Sequence, residues 1–165
     1  MAKEQSVVAS VEIEAPQEAV WEVACDTARY AEWVESTIEV VRTDGPARLG
    51  ATYDELTRIS GPWKASTHWR VTEFDPPRRQ VHDGEGVATA QGMAVVIELT
   101  SAGENTHLTL TIRYAPRFGP IGAIIDAAVR GSLRRAQQRS AEAFAALVAR
   151  ESSTGSQAPE AQQTP

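Results

Sequence analysis

The stretch from Phe118 to Arg150 carries the period of one long amphipathic helix, and a helix of that length needs an equally extended surface to pack along. Taking every third or fourth residue gives Ile121, Ile125, Ala128, Ser132, Ala136, Ser140, Ala143 and Leu147 as its packing face. That face is apolar at both ends and small in the middle. Laid over a sheet, it leaves space between the layers unless large side chains rise to fill it. A cavity is therefore expected, and a cavity is a reason to look for a ligand.

The residues before the helix supply the sheet. Val7, Ala9, Val11 and Ile13 alternate with Ser10, Glu12 and Glu14, which predicts a strand with one wet face. Pro16 at a first helical position, Glu18 in the first turn and the stripe Val20, Val23, Ala24 predict a short helix ending near Asp26. Asp26 is placed to cap a second short helix that carries Tyr30, Trp33 and Val34 inward. From Ser36 to Tyr114, turn signals such as Asp44-Gly45-Pro46, Ser60-Gly61-Pro62 and Asp75-Pro76-Pro77 separate six β-rich runs, an antiparallel meander. Ala115-Pro116 and Gly119-Pro120 end it and start the long helix. The order predicts an α+β chain: a seven-stranded curved antiparallel sheet wrapped around a long C-terminal helix, with two short helices between strands 1 and 2. Residues 1–150 read as a single domain, and 151–165, lacking any large apolar side chain, as a disordered tail.

Composition excludes several partners. A net charge of -6 argues against nucleic acid, whose phosphates need Lys and Arg to neutralise them. No apolar run approaches the ~20 residues of an integral membrane segment, and the N-terminus has no signal-peptide core. The single cysteine, Cys25, reads as a small buried residue of the first helix and suits a reducing cytoplasm. Arg130, Arg134, Arg135, Arg139 and Arg150 are expected on the solvated face of the long helix. No cofactor or metal is expected: no His or carboxylate pair has ligand spacing, and there is no nucleophile elbow.

The opening run Val11-Glu12-Ile13-Glu14-Ala15-Pro16-Gln17-Glu18-Ala19-Val20-Trp21 is followed by Arg29-Tyr30-Ala31-Glu32-Trp33, by Trp69-Arg70-Val71-Thr72-Glu73-Phe74-Asp75-Pro76-Pro77 and by Gly103-Glu104-Asn105-Thr106-His107-Leu108-Thr109. In that order they resemble the START-like or Bet v 1-like (SRPBCC) superfamily, and more closely the bacterial polyketide cyclase/dehydrase and lipid-transport proteins. The resemblance covers roughly Ser6 to Arg150. It implies a helix-grip fold with a deep apolar pocket between sheet and C-terminal helix, and it leaves the chemistry open, because one fold hosts carriers, cyclases and adaptors. Aromatase-like relatives use a pocket arginine with tyrosine and tryptophan. Here Trp69 takes the inward phase of the corresponding strand while Arg70 points away, leaving Arg58 and Arg113 as the remaining arginines to consider.

Candidate ligand contacts follow from strand phase. Trp63, Thr67 and Trp69 share the phase expected to face inward, and two tryptophans with a hydroxyl between them suit a flat or greasy ligand. Met93, Val95 and Ile97 form an apolar phase of a later strand, and Tyr114 brings a phenol near the end of the next. Phe118 and Ile121 are placed to line the mouth, Ile125, Ala128 and Ser132 the helix wall, and Gly86 to Gly92 a flap. His68 and His107 fall on outward phases. His82 is ambiguous, since Val81 is the better candidate to point in. If the chain is an enzyme, Tyr114, Tyr53 and His82 are its catalytic candidates. Three functions stay open: binding or transport of a hydrophobic small molecule, lipid or polyketide-like; a cyclase or dehydratase acting in the same pocket; and a protein-interaction module with a filled core and an unknown partner.

Overall fold

The alternating N-terminal segment is strand β1 (Gln5–Ile13) in the computed structural model of this chain, which describes residues 4–85, 90–116 and 122–155, the side chains of 60, 90–91, 116 and 122–128 excepted. Helix α1 (Gln17–Cys25) follows. Pro16, expected inside its first turn, stands one residue ahead as the N-cap. A 3-10 helix (Thr27–Glu32) then buries Tyr30 and delivers Trp33 to the core just past its end. Asp26 precedes it without making a side-chain cap bond.

The six β-rich runs are β2 (Thr37–Thr43), β3 (Thr52–Ser60), β4 (Trp63–Asp75), β5 (Arg79–Glu85), β6 (Ala90–Ala102) and β7 (Asn105–Pro116), each antiparallel to the next. β1 pairs with β7, so the seven-stranded sheet runs β1-β7-β6-β5-β4-β3-β2. Register shifts interrupt the β2–β3, β3–β4, β4–β5 and β6–β7 ladders. Each adds a local bend, and together they curl the sheet. The Gln17 amide ties α1 to the β4–β5 turn and to β6, donating to the carbonyls of Pro77 at 3.1 Å and Leu99 at 3.0 Å. Thr106 does the same from β7, donating to Ala15 O at 2.8 Å.

Helix α2 (Gly122–Gly155) lies over β1 and β7. Among its described side chains the buried ones are Gln137, Ser140, Ala141, Phe144, Leu147 and Val148, and Leu133 packs one turn before them. The stripe is rotated relative to the expected one. Ser140 and Leu147 face inward as read, but Ser132 is exposed, and Ala136 and Ala143 sit at the edge. Phe144 explains the rotation: one buried ring gains far more than the small residues beside it, so the helix turns to put that ring at the centre.

α2 also continues to Gly155, so residues 151–155 are helical where a tail was expected. Ser152, Ser153 and Thr154 turn their hydroxyls back onto the carbonyls of Val148, Ala149 and Arg150 at 3.0 to 3.1 Å. Polar side chains that would favour a coil are thus satisfied inside the helix, and Glu151 pairs with Arg29. Residues 156–165 lie outside the described residues. Among the described residues, no helix is long and apolar enough to cross a membrane.

Because Phe144 sets the rotation of α2, Phe144→Ala is expected to cost about 3–5 kcal/mol in urea unfolding. Ser132→Ala should stay within about 0.5 kcal/mol, as an exposed substitution does.

Candidate functional site

Strand register places one residue from each of six strands, β3 to β7 and β1, in a row across the concave face: Tyr53, Trp69, Gly84, Met93 and Tyr114, with Gln5 at the end. Trp69 lies nearly parallel to Tyr53, with centroids 6.2 Å apart at 12°. The indole can lie that low because its neighbour in the row has no side chain. A Cβ on Gly84 would stand 2.6 to 2.8 Å from three Trp69 ring carbons. The next row toward the β3–β4 turn holds Glu55 and Thr67, both buried. The row on the other side holds Val71, His82, Val95 and Ile112.

Two polar systems are built into this face. In the first, Ala24 O is an acceptor only, so the Gln80 amide must turn its Nε2 toward it, at 3.1 Å. Its Oε1 then accepts from His82 Nε2–H at 3.0 Å, and His82 Nδ1 accepts the Tyr53 hydroxyl proton at 2.9 Å. Tyr30 donates to the same Ala24 carbonyl at 2.9 Å. The chain therefore finishes the C-terminus of α1 and fixes His82 as the neutral Nε2–H tautomer. Burial pushes the His82 pKa down to about 4 and raises that of Tyr53 well above its ordinary value. In the second system, Glu55 Oε2 accepts the Trp69 indole N–H at 3.0 Å. Burial raises the Glu55 pKa to about 7, while the bond from the Trp69 indole pulls it partly back.

The apolar lining is divided. The main core includes Tyr30, Trp33, Tyr53, Trp69, Ile97, Leu99, Leu110 and Phe144, with Trp33 edge-on to Phe144 at 4.9 Å. A smaller cluster holds Val7, Ile112 and Tyr114, with Leu133 packed against it. Met93 and Val95 touch both clusters and are only half-buried, although they point into the concave face. Gln137, between Leu133 and Ala141 on the inward stripe of α2, is 7% exposed, and its amide nitrogen has no hydrogen-bond partner.

The sequence-derived candidates divide accordingly. Thr67, Trp69, Met93, Val95, Ile97 and Tyr114 all lie on the concave face, with Ile97 sealed in the core. Trp63 shares the phase of Trp69 but is 71% exposed at the strand end, where no layer covers it. Ser132 is corrected as well, turned to solvent by the rotation of α2. Phe118 and Ile121, the side chains of Ile125 and Ala128, and the flap residues 86–89 lie outside the described residues. Val81 takes the face opposite to His82, paired with Val96, so His82 is the residue that points in. Its two ring nitrogens are both engaged, as is the Tyr53 hydroxyl. Arg58, Arg70 and Arg113 take the outward phases of their strands. His68 is outward too, bonded to Asp54, and His107 is exposed. Cys25 is half-buried rather than fully buried, its thiol pKa pushed up to about 12 by desolvation.

Glu55 and Gln137 escaped the sequence reading. Glu55 alternates in phase with Tyr53, a signal hidden because Leu56 made its strand look irregular. Among the described residues, no cluster of His, Cys, Asp and Glu could hold a metal ion. A separate surface cleft of about 310 Å³ lies between α1 and the end of α2, over Val23 and Val148.

The sequence pattern of the family described as polyketide cyclase/dehydrase and lipid transport matches residues 4–149. The chain belongs to this family. An uncharacterized Mycobacterium tuberculosis protein is 29% identical over 148 residues, 83% of this chain and 99% of its own length. Another from the same organism, named a toxin, is 25% identical over 139 residues, covering 82% and 95%. Among solved structures, an aromatase/cyclase from a Streptomyces species has a TM-score of 0.77 at 17% identity, covering 91% of this chain and 96% of that one. Ara h 8.0201 has a TM-score of 0.65 at 8% identity, covering 90% and 99%. The fold is thus the helix-grip fold of the START-like, Bet v 1-like superfamily.

Two outcomes follow from the buried groups. With its folded pKa raised from 4.5 to about 7, Glu55 costs stability as pH rises through that window. His82, lowered from 6.5 to about 4, contributes stability that is lost as pH falls from 6.5 toward 4. The two slopes oppose each other. Glu55→Gln should therefore gain stability over the native chain on going from pH 5 to pH 8, by up to about 3 kcal/mol in denaturant melts. Gly84→Ala should displace the Trp69 indole and cost about 1–3 kcal/mol, read by unfolding and by a shift in near-ultraviolet circular dichroism.

Proposed function

We propose that this protein binds a hydrophobic, ring-bearing small molecule between the concave face of its sheet and helix α2, as a carrier or sensor. One observation carries the reading: the core is divided, and Met93 and Val95, which touch both of its clusters, remain half-buried on the concave face. Side chains of that size on an inward face favour a further apolar partner. Trp69 and Tyr114 share the cross-sheet row of Met93, next to that of Val95, and offer flat surfaces to a ring. Family membership supports the same class of ligand, since the family is described by polyketide cyclases and lipid transport.

A cyclase or dehydratase has one observation in its favour. Glu55, buried with a pKa of about 7, is of the kind that exchanges a proton near neutrality. His82 fits that role less well, because both of its nitrogens already serve the chain from Tyr53 to Ala24. Turnover of a polyketide-like substrate that Glu55→Gln abolishes would favour this reading.

Native mass spectrometry of protein purified from its own host, followed by organic extraction, should reveal a co-purifying apolar molecule. Met93→Trp fills the space and should weaken binding of an apolar dye by at least about tenfold. Val8→Trp, on the opposite face, should leave binding unchanged. Equal dye binding by both variants would argue against the site.

A further inference from the structure

We propose that Gln137 orients the bound molecule by donating a hydrogen bond from its amide Nε2 to an acceptor oxygen on the ligand, which is then an apolar, ring-bearing compound carrying a carbonyl or comparable oxygen. The inference rests on the ligand-binding reading above and adds the ligand's chemical class and polarity.

Three observations meet at this residue. Gln137 stands on the inward stripe of α2, between Leu133, which packs with Val7, Ile112 and Tyr114, and Ala141 and Phe144, which belong to the main core. It therefore faces the division between the two clusters, where Met93 and Val95 are half-buried. It is 7% exposed, and its amide nitrogen has no hydrogen-bond partner. Buried amides are ordinarily satisfied, because an unpaired one loses its bonds to water and gains nothing in return. Ser140 and Gln138 on the same helix are already engaged: Ser140 accepts from the backbone N–H of Glu35 and donates to Ala136 O, and Gln138 donates to Glu142. A leucine would fill the position without that cost, so a donor here suits a partner that arrives with the ligand. A nitrogen donor selects an acceptor, and the apolar surroundings select the rest of the molecule.

The test uses two probes of the same shape, 2-acetylnaphthalene and 2-isopropenylnaphthalene, titrated by calorimetry into the full chain. The native protein should prefer the ketone by about tenfold. Gln137→Leu should weaken ketone binding, leave the hydrocarbon unchanged and bring the two within about twofold. The free Gln137→Leu protein should also melt no lower than the native one. Should Leu prevent folding, Gln137→Met carries the same comparison. Equal affinity of the native protein for both probes, as a water-satisfied amide would give, overturns the proposal. So does a ketone preference that survives Gln137→Leu or Gln137→Met. If neither probe binds while Met93→Trp also leaves dye binding unchanged, the ligand site itself is wrong and the orientation role falls with it. If neither probe binds but Met93→Trp weakens dye binding, the site stands and the ring-ketone class is overturned.

Discussion

A straight helix and a curled sheet can touch along only part of their length, and this mismatch governs the rest of the molecule. α2 packs on the sheet chiefly along β1 and β7, at one edge of the strand order. At one end the gap is closed by aromatic rings: Phe144 against Trp33, Trp33 against Tyr30, Tyr30 against Tyr53. Two of those rings, Tyr30 and Trp33, come from the short segment between α1 and β2. Its role is to fill one end of the grip, while Met93 and Val95 stay half-buried.

Filling a cavity end with rings that carry hydroxyls and ring nitrogens creates a second requirement, since each polar atom must find a partner. The chain from Tyr53 through His82 and Gln80 meets it for those groups by ending on a helix carbonyl that needed a donor, while the Trp33 indole N–H stays unpaired. Residues that look like chemistry are therefore consumed by architecture. Glu55 and Gln137 differ: the first is held by an indole and keeps capacity to spare, the second has an unused donor. Function is better sought among groups the fold leaves unsatisfied than among those whose side chains are the usual catalysts.

Much of the architecture was legible in the sequence, because alternation and turn residues are local signals. The six-run meander, the two short helices and the long helix all follow from Val7, Val11 and Ile13, from Pro16, and from the glycine and proline clusters. What was not legible depends on contacts distant in sequence. The rotation of α2 depends on Phe144 meeting Trp33, and a helical period sampled through alanines cannot register it. Trp63 fails for the same reason, since strand phase gives the face of a side chain and says nothing about whether anything covers it. Glu55 broke the apolar pattern of its strand, and a buried carboxylate reads as a surface residue until its partner is known.

The bare backbone at Gly84 has an effect beyond close packing. With Trp69 lying flat on it, the concave face at that point is one aromatic ring thick. In a homologue with a side chain at this position, the indole would be tipped up and the proposed binding space made shallower, with no change in any residue proposed to touch a ligand. Ligand size within the family could thus diverge through a position that no contact map of the bound state would single out.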